Sequence, residues 1–105
     1  MTFAPDAAIV LGDNHDLPLI YKDMEQQFPP CELYTFQRLV QLVNNNQYKI
    51  LLYRRLSDDE LIGYALVYTM EDCNILWLDY IAVLKKHQSC GYGSALFRAL
   101  WQKYC

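Results

Sequence analysis

The sequence has few of the residues that build metal and redox sites. It contains two histidines and four cysteines in 105 residues. No two cysteines have the C-x-x-C spacing of zinc or thiol-redox motifs, so we expect no metal site. In a reducing compartment the cysteines are expected to be free thiols. They are Cys31, Cys73, Cys90 and Cys105.

Long apolar runs and targeting signals are also missing. No stretch approaches the roughly 20 apolar residues that a membrane span needs. The N-terminus lacks the basic region and the apolar core of a secretory signal, so we predict a cytoplasmic protein without membrane association. The length fits one domain, 1–105. With 53% hydrophobic residues and nine tyrosines, the composition excludes a disordered chain.

Acidic residues are absent from the last quarter of the chain. All twelve lie at or before Asp79, together with five basic residues, whereas the remainder carries four basic residues and no acid. A basic segment raises the local concentration of an anionic ligand, which suits a ligand with several phosphates. Short segments often show such an imbalance by chance, however. The acidic remainder argues against a nucleic-acid partner, because nucleic acids need a broad basic face.

Hydrophobic periodicity predicts the element order β-α-α-β-β-β-α. The strands are expected at Ala7–Leu11, Tyr48–Leu56, Leu61–Met70 and Ile75–Leu84. Short turns at Ser57–Asp59 and Glu71–Asn74 join the last three strands, and such turns imply antiparallel pairing. The fold class is therefore α+β, with a mostly antiparallel sheet of about four strands.

Two helices are expected before the second strand. Asp16 is the predicted N-cap of the first helix, and Pro29 ends it. Thr35 is the predicted N-cap of the second helix, which ends at the asparagine run 44–46 because Asn tolerates left-handed backbone. Gly63 within the third strand indicates a bulge or a close approach of another segment.

The last thirty residues combine a buried strand, a glycine-bearing loop and a helix. The helix begins at Gly91-Tyr92-Gly93 and continues with apolar residues near helical spacing. First-turn amides have no internal partners and lie at the positive end of the helix dipole, so they bind phosphate. A P-loop is excluded, because Ser94-Ala95 stands where that motif has Lys followed by Ser or Thr. A dinucleotide-binding fingerprint is also excluded, because Leu96 stands where it has a small residue. Alternatively, the glycines only link the strand to the helix.

The hexapeptide Gln88–Gly93 reads Q-x-x-G-x-G and follows Ile81-Ala82-Val83. Together they resemble the acetyl-CoA signature of the GNAT superfamily of N-acetyltransferases. Phe28-Pro29 followed by Glu32 is similar to the region between the first two helices of many bacterial members. The resemblance implies a three-layer acyl-CoA N-acyltransferase fold with helices on both faces of the sheet. The element order matches the first half of that fold, so we expect a single GNAT-like domain, 1–105, lacking the C-terminal strands and helix.

The resemblance implies that acetyl-CoA or CoA binds along the fourth strand and the loop. The pantetheine arm would bond the main chain of Ile81 and Val83, with Ala82 between them. The pyrophosphate would take backbone amides from the loop residues Gln88, Ser89, Cys90, Gly91, Tyr92, Gly93 and Ser94. Ser89 stands where the family has glycine and Cys90 where a basic residue is common, so weaker binding is expected. The basic run 85–87 either screens phosphate charge or is ordinary solvated loop.

The reaction implied by the resemblance is direct acetyl transfer from acetyl-CoA to a primary amine. Asp79 is the acid nearest the expected thioester, and it is either the group that takes the amine's proton or a structural carboxylate. Glu32 either attracts a cationic amine or is solvated. Tyr80 and Tyr92 are expected to pack, since the family's tyrosine acid lies beyond the matched half.

Two functions therefore fit the sequence. One is an acetyl-CoA-dependent N-acetyltransferase, and the alternative is a non-catalytic CoA-binding or protein-interaction module derived from that family. In the family a fifth strand, without a counterpart here, flanks the fourth. The run Ile75–Leu84 is therefore expected to be an exposed apolar edge, with Leu96, Leu100 or Trp101 also exposed. Such an edge invites another strand, and the expected assembly is a homodimer.

Overall fold

The structure of the chain, a computed structural model, describes residues 6–70 and 75–104. The strands are β1 (Ala7–Leu11), β2 (Tyr48–Arg55), β3 (Leu61–Met70) and β4 (Ile75–Val83). The helices are α1 (Leu17–Gln27), α2 (Phe36–Asn44) and α3 (Tyr92–Tyr104). Two short 3-10 helices, Pro30–Glu32 and Lys85–His87, lie in the connections. The predicted element order is confirmed.

The described strands form one antiparallel sheet in the order β1-β2-β3-β4. Pairs such as Leu52 with Tyr64 and Ala65 with Ile81 fix the register. Among the described residues β4 is therefore an edge strand. The predicted α+β class with an antiparallel sheet of four strands is confirmed.

The two faces of the sheet are covered by different helices. Helices α1 and α2 pack on one face and α3 on the other, which confirms the expected three layers. Because β2 and β3 are buried on both faces, their sequences are nearly continuous apolar runs rather than alternating ones. The α1/α2 layer includes Leu17, Ile20, Leu39, Ile50, Leu66 and Tyr80, and the α3 layer includes Leu51, Tyr53, Ala65, Val67, Leu96 and Leu100.

The glycine in β3 lies beside a bulge and also against the backbone of β4. Ile62 is an extra residue in the pairing of β3 with β2. A Cβ atom at Gly63 would lie 2.7 Å from the carbonyl oxygen of Ala82 and 3.0 Å from Leu96 Cδ2. Both alternatives suggested by the sequence are therefore present, and the absence of a side chain lets β3 approach β4.

Both predicted N-cap positions are confirmed, but only one of the two residues makes a side-chain cap bond. Thr35 caps α2 as predicted, since its hydroxyl oxygen accepts a hydrogen bond from Arg38 N at 3.1 Å. Asp16 has helical backbone angles and makes no side-chain cap bond. Its carboxylate instead accepts from Asp13 N at 3.0 Å and pairs with Arg54, so it stabilises the turn before α1. Asn46, with φ of 59°, confirms the left-handed end predicted after α2.

Strands β2 and β4 each end one residue before the predicted boundary. Leu56 leaves the sheet for an exposed turn. Leu84 precedes the 3-10 helix, while its side chain stays buried in the α1/α2 layer. The predicted turn Glu71–Asn74 lies outside the described residues, as do Cys73 and Cys105. Cys31 and Cys90 are free and exposed.

The expected exposure on α3 is only partly correct. Leu96 and Leu100 are 2% and 5% exposed, because they pack on the sheet. Trp101 and its neighbour Phe97 are 60% and 52% exposed, and Trp77 of β4 is 62% exposed. In the described part of the chain, no helix is long and apolar enough to cross a membrane.

We predict that Gly63→Ala lowers the free energy of unfolding by about 1–3 kcal/mol, because the new Cβ overlaps the β4 backbone. Gly93→Ala is the matched control, since a Cβ there meets nothing within 4 Å. Alanine also favours the helix in which residue 93 lies. Urea denaturation of the two variants and the parent measures the difference. A Gly63→Ala variant as stable as the parent would contradict the close approach.

Candidate functional site

Strand β4 carries one extra residue, Asp79, at the middle of the predicted site. Leu78 and Tyr80 pair with two consecutive residues of β3, so Asp79 has no partner there. Such a bulge re-aims side chains. Leu78 packs in the α3 layer and Tyr80 in the α1/α2 layer, while the Asp79 carboxylate accepts a hydrogen bond from the Tyr48 hydroxyl.

The loop after β4 reaches α3 through two left-handed residues. Ser89 has φ of 67° and Gly91 has φ of 82°. Glycine adopts this region freely, whereas serine does so at a cost. Helix α3 then starts at Tyr92 and runs for 13 residues, so its first-turn amides open toward the loop.

A groove of about 380 Å³ lies between the end of β4 and the start of α3. It is lined by Ile81, Ala82, Val83, His87, Gln88, Ser89, Tyr92, Gly93, Leu96 and Phe97. A Cβ atom at Gly91 or Gly93 would meet no atom within 4 Å. The glycines therefore leave open space at the start of the helix.

The structure brings most of the predicted cofactor residues to this groove. Cys90, Gly91 and Ser94 are the exceptions, since they are exposed and do not line it. Sequence reasoning did not include Leu96 and Phe97 in the site. Leu96 and Phe97 lie three and four residues after Gly93, which is about one helical turn. This spacing predicts that they lie on the same side of α3 as Gly93, facing the groove.

The basic residues of the loop are partly neutralised. Lys86 Nζ and His87 Nε2 lie 2.9 Å and 3.0 Å from the Glu60 carboxylate, on the β2–β3 turn. The bond to Lys86, and then that to His87, lowers the pKa of the Glu60 carboxyl. These contacts hold the loop to the sheet. Lys86 and His87 are therefore paired with an acid, and the two alternatives for the basic run both stay open.

A second cavity of about 400 Å³ lies on the α1/α2 side of β4. It is lined by Phe28, Glu32, Tyr34, Asp79 and Tyr80. Burial, and then the hydrogen bond to Asp79, raises the pKa of the Tyr48 hydroxyl. Tyr48 therefore keeps its proton at neutral pH, and its hydroxyl donates a hydrogen bond to the Asp79 carboxylate. The cavity combines aromatic rings with two carboxylates.

Tyrosine hydroxyls hold the α1–α2 connection over this cavity. Tyr80 donates to the carbonyl oxygen of Glu32 at 2.6 Å and accepts from Tyr34 N at 3.2 Å. Tyr21 donates to the carbonyl oxygen of Tyr34 at 2.7 Å. The Phe28 ring packs edge-on against Tyr80, with 5.2 Å between centroids. Tyr80 is thus a positioned hydrogen-bonding group as well as the expected packing residue.

The two cavities share one short piece of β4. Asp79 and Tyr80 line the second cavity, and Ile81, Ala82 and Val83 line the groove. Within the described residues, no group of His, Cys, Asp or Glu side chains could hold a metal ion.

The family model described as the acetyltransferase (GNAT) family matches residues 17–104. The ribosomal-protein-S18-alanine N-acetyltransferase from Escherichia coli is similar in structure, with a TM-score of 0.70 and 19% identity over 93% of this chain and 59% of that one. The spermidine/spermine N-acetyltransferase from Vibrio cholerae gives a TM-score of 0.69 and 17% identity over 96% and 62%. No curated protein matches the sequence.

The similarity to these solved structures shows a shared fold, since the identities are below 25%. The chain spans about three fifths of the length of the two structures. The family model and the similarity to solved structures thus support the expected resemblance independently.

Proposed function

Because the chain belongs to the GNAT acetyltransferase family, we propose that it binds acetyl-CoA and transfers the acetyl group to a primary amine. The observation that carries the proposal is that consecutive residues of β4 line two cavities, Asp79 and Tyr80 the one and residues 81–83 the other. The groove beside the glycine loop receives acetyl-CoA. The cavity at Asp79 receives the amine.

The pantetheine arm lies along the free side of β4. Leu84 N donates to the carbonyl oxygen of Ile62, toward β3. Since backbone groups of alternate residues point to opposite sides of a strand, those of Ile81 and Val83 point away from β3. The Val83 carbonyl already accepts side-chain amides from Gln27 and Gln88. Ile81 and the Val83 N–H are therefore the proposed partners of the arm.

The pyrophosphate lies at the start of α3. Backbone amides from Gln88 to Ser94 are its proposed partners, because a Cβ atom at Gly91 or Gly93 meets nothing within 4 Å and the glycines leave open space there. The helix dipole adds favourable charge at the same place. Lys85, Lys86 and His87 make the surroundings basic, although Glu60 reduces that charge.

In the proposed reaction the amine nitrogen attacks the thioester carbonyl carbon, the carbon–sulfur bond breaks, and CoA leaves as the thiolate. The amine must be neutral to attack, so a base takes its proton, and Asp79 is the proposed acceptor. A backbone N–H of β4 polarises the carbonyl. Amines are cationic in water, and Glu32, Asp79 and the tyrosine rings favour a cationic acceptor.

The first test is the affinity for CoA of Gly93→Asp, measured by calorimetric titration. We expect at least a tenfold loss, because the carboxylate occupies the phosphate position with a like charge. Asp in the first helical turn interacts favourably with the dipole by about 0.3–1 kcal/mol, so the variant should remain folded. Gly93→Asn is the matched control, with the same size and no charge, and it should lose less affinity. Unchanged binding by the Asp variant would contradict this site.

The second test is release of CoA thiol from acetyl-CoA with a panel of cationic, neutral and anionic primary amines. We expect turnover by this chain alone to be weak and confined to the cationic amines, and Asp79→Asn to lower it about 10²–10⁴-fold if the carboxylate is the base. The affinity of this variant for CoA should not change. A parent protein that binds CoA but acetylates no amine would favour the alternative, a non-catalytic CoA-binding or interaction module.

We also propose that the chain forms a homodimer along β4. Within the described residues no strand pairs with this edge, and edge strands invite pairing. Trp77 on β4 and Trp101 on α3 are large exposed apolar side chains. Light scattering over a concentration series should show twice the monomer mass, and bound CoA should lower that mass by covering the same edge. A monomer mass at high concentration without ligand would contradict the dimer.

A further inference from the structure

A buried carboxylate of α1 is bonded to the loop that follows β4. Asp23 is 9% exposed. Its Oδ1 accepts from Lys85 N at 3.1 Å, where the chain leaves β4. Its Oδ2 accepts from the Tyr64 hydroxyl at 2.8 Å and from Gln27 Nε2 at 2.6 Å. The proposed reaction gives this group no role, yet burying a carboxylate is costly unless its bonds are satisfied.

The contact continues through two side-chain amides. Gln27 Nε2 also donates to the Val83 carbonyl oxygen at 2.9 Å. Gln88 Nε2 donates to Gln27 Oε1 at 2.8 Å and to the same Val83 oxygen at 3.2 Å. Helix α1 is thereby connected to the end of β4 and to the first residue of the Q-x-x-G-x-G loop.

The orientation of both amides is determined by the groups at the two ends. The Asp23 carboxylate and the Val83 carbonyl can only accept hydrogen bonds, so Gln27 must present its NH₂ group to both. Its carbonyl oxygen then faces Gln88, which must present its own NH₂ group. The Asp23 carboxylate and the Val83 carbonyl together fix the amide orientation of Gln27. Gln27 and Val83 in turn fix that of Gln88.

We propose that Asp23 is the positioning residue of the loop at residues 85–91, holding its first backbone amide directly and Gln88 through Gln27. The proposal rests on the proposed CoA site, since positioning matters there for the amides that bind the pyrophosphate. A loop held in its bound shape loses less entropy when the ligand binds. Asp23 touches no reacting atom and acts only through the loop.

The decisive variant is Asp23→Asn, which keeps the size and removes one acceptor. If the Asn oxygen accepts from Lys85 N, the Asn NH₂ group faces the NH₂ group of Gln27, and two donors cannot bond each other. The Gln27 amide must then rotate, and it loses its hydrogen bonds to Val83 and Gln88. If the Asn is reversed, Lys85 N loses its acceptor. Either arrangement breaks a bond to the loop.

Two further variants separate positioning from general stability. Gln27→Met removes the connection to Gln88 while Asp23 keeps its bonds to Lys85 and Tyr64. Tyr64→Phe removes a bond to the same carboxylate without touching the loop. Both Tyr64→Phe and Asp23→Asn should lower stability, so a merely structural Asp23 predicts the same outcome for these two variants.

The primary readout is amide hydrogen exchange at Lys85, His87 and Gln88, the loop amides that are hydrogen-bonded in the structure, relative to the rest of the chain. We expect about tenfold faster exchange there in Asp23→Asn and Gln27→Met, and parent-like exchange in Tyr64→Phe. The Kd for CoA should rise about tenfold in the first two variants only. Unchanged loop exchange in Asp23→Asn, or equal acceleration in all three variants, would overturn the proposal. If the parent binds no CoA, the proposed function fails, and the exchange data still decide the role of Asp23.

Discussion

The extra residue at Asp79 determines which side of the sheet each residue of β4 faces. With regular alternation through β4, Leu78 would face α1 and α2, and Asp79 would face the apolar layer under α3. The bulge instead places Leu78 in the α3 layer and leaves the carboxylate beside Tyr48. One inserted residue thus keeps both faces of the sheet apolar and supplies an acid to the α1/α2 side.

After the bulge, β4 continues through residues 81–83, which line the groove. The groove is formed where β4 separates from the start of α3, and the loop between them is held from two directions. Glu60 of the β2–β3 turn binds Lys86 and His87, and Asp23 of α1 binds Lys85 N. The loop is therefore attached both to α1 and to the β2–β3 turn, and neither anchoring carboxylate lines the groove.

The sequence predicts the elements well because the signals for them are local. Apolar runs, the Thr35 cap and the left-handed Asn46 depend on neighbours within a few residues. The glycine motif contains four of the ten residues that line the groove, and the resemblance that it carries indicated three more and the family. The extra residue at Asp79 and the network of Asp23 were not predicted, since they depend on pairing with β3 and on contacts between residues 62 positions apart. Asp16 shows the same limit, because a distant arginine competes with the cap.

The anchors also account for serine at a position where the family has glycine. Ser89 adopts φ of 67°, which costs a residue with a Cβ about 1–2 kcal/mol. Such strain persists only where the surroundings determine the backbone. Gln88 is held by Gln27 and Val83 on one side, and α3 begins at Tyr92 on the other. Because both ends of the loop are fixed, serine at this position raises the free energy of the loop. It does not change the directions of the backbone amides, which the two ends determine.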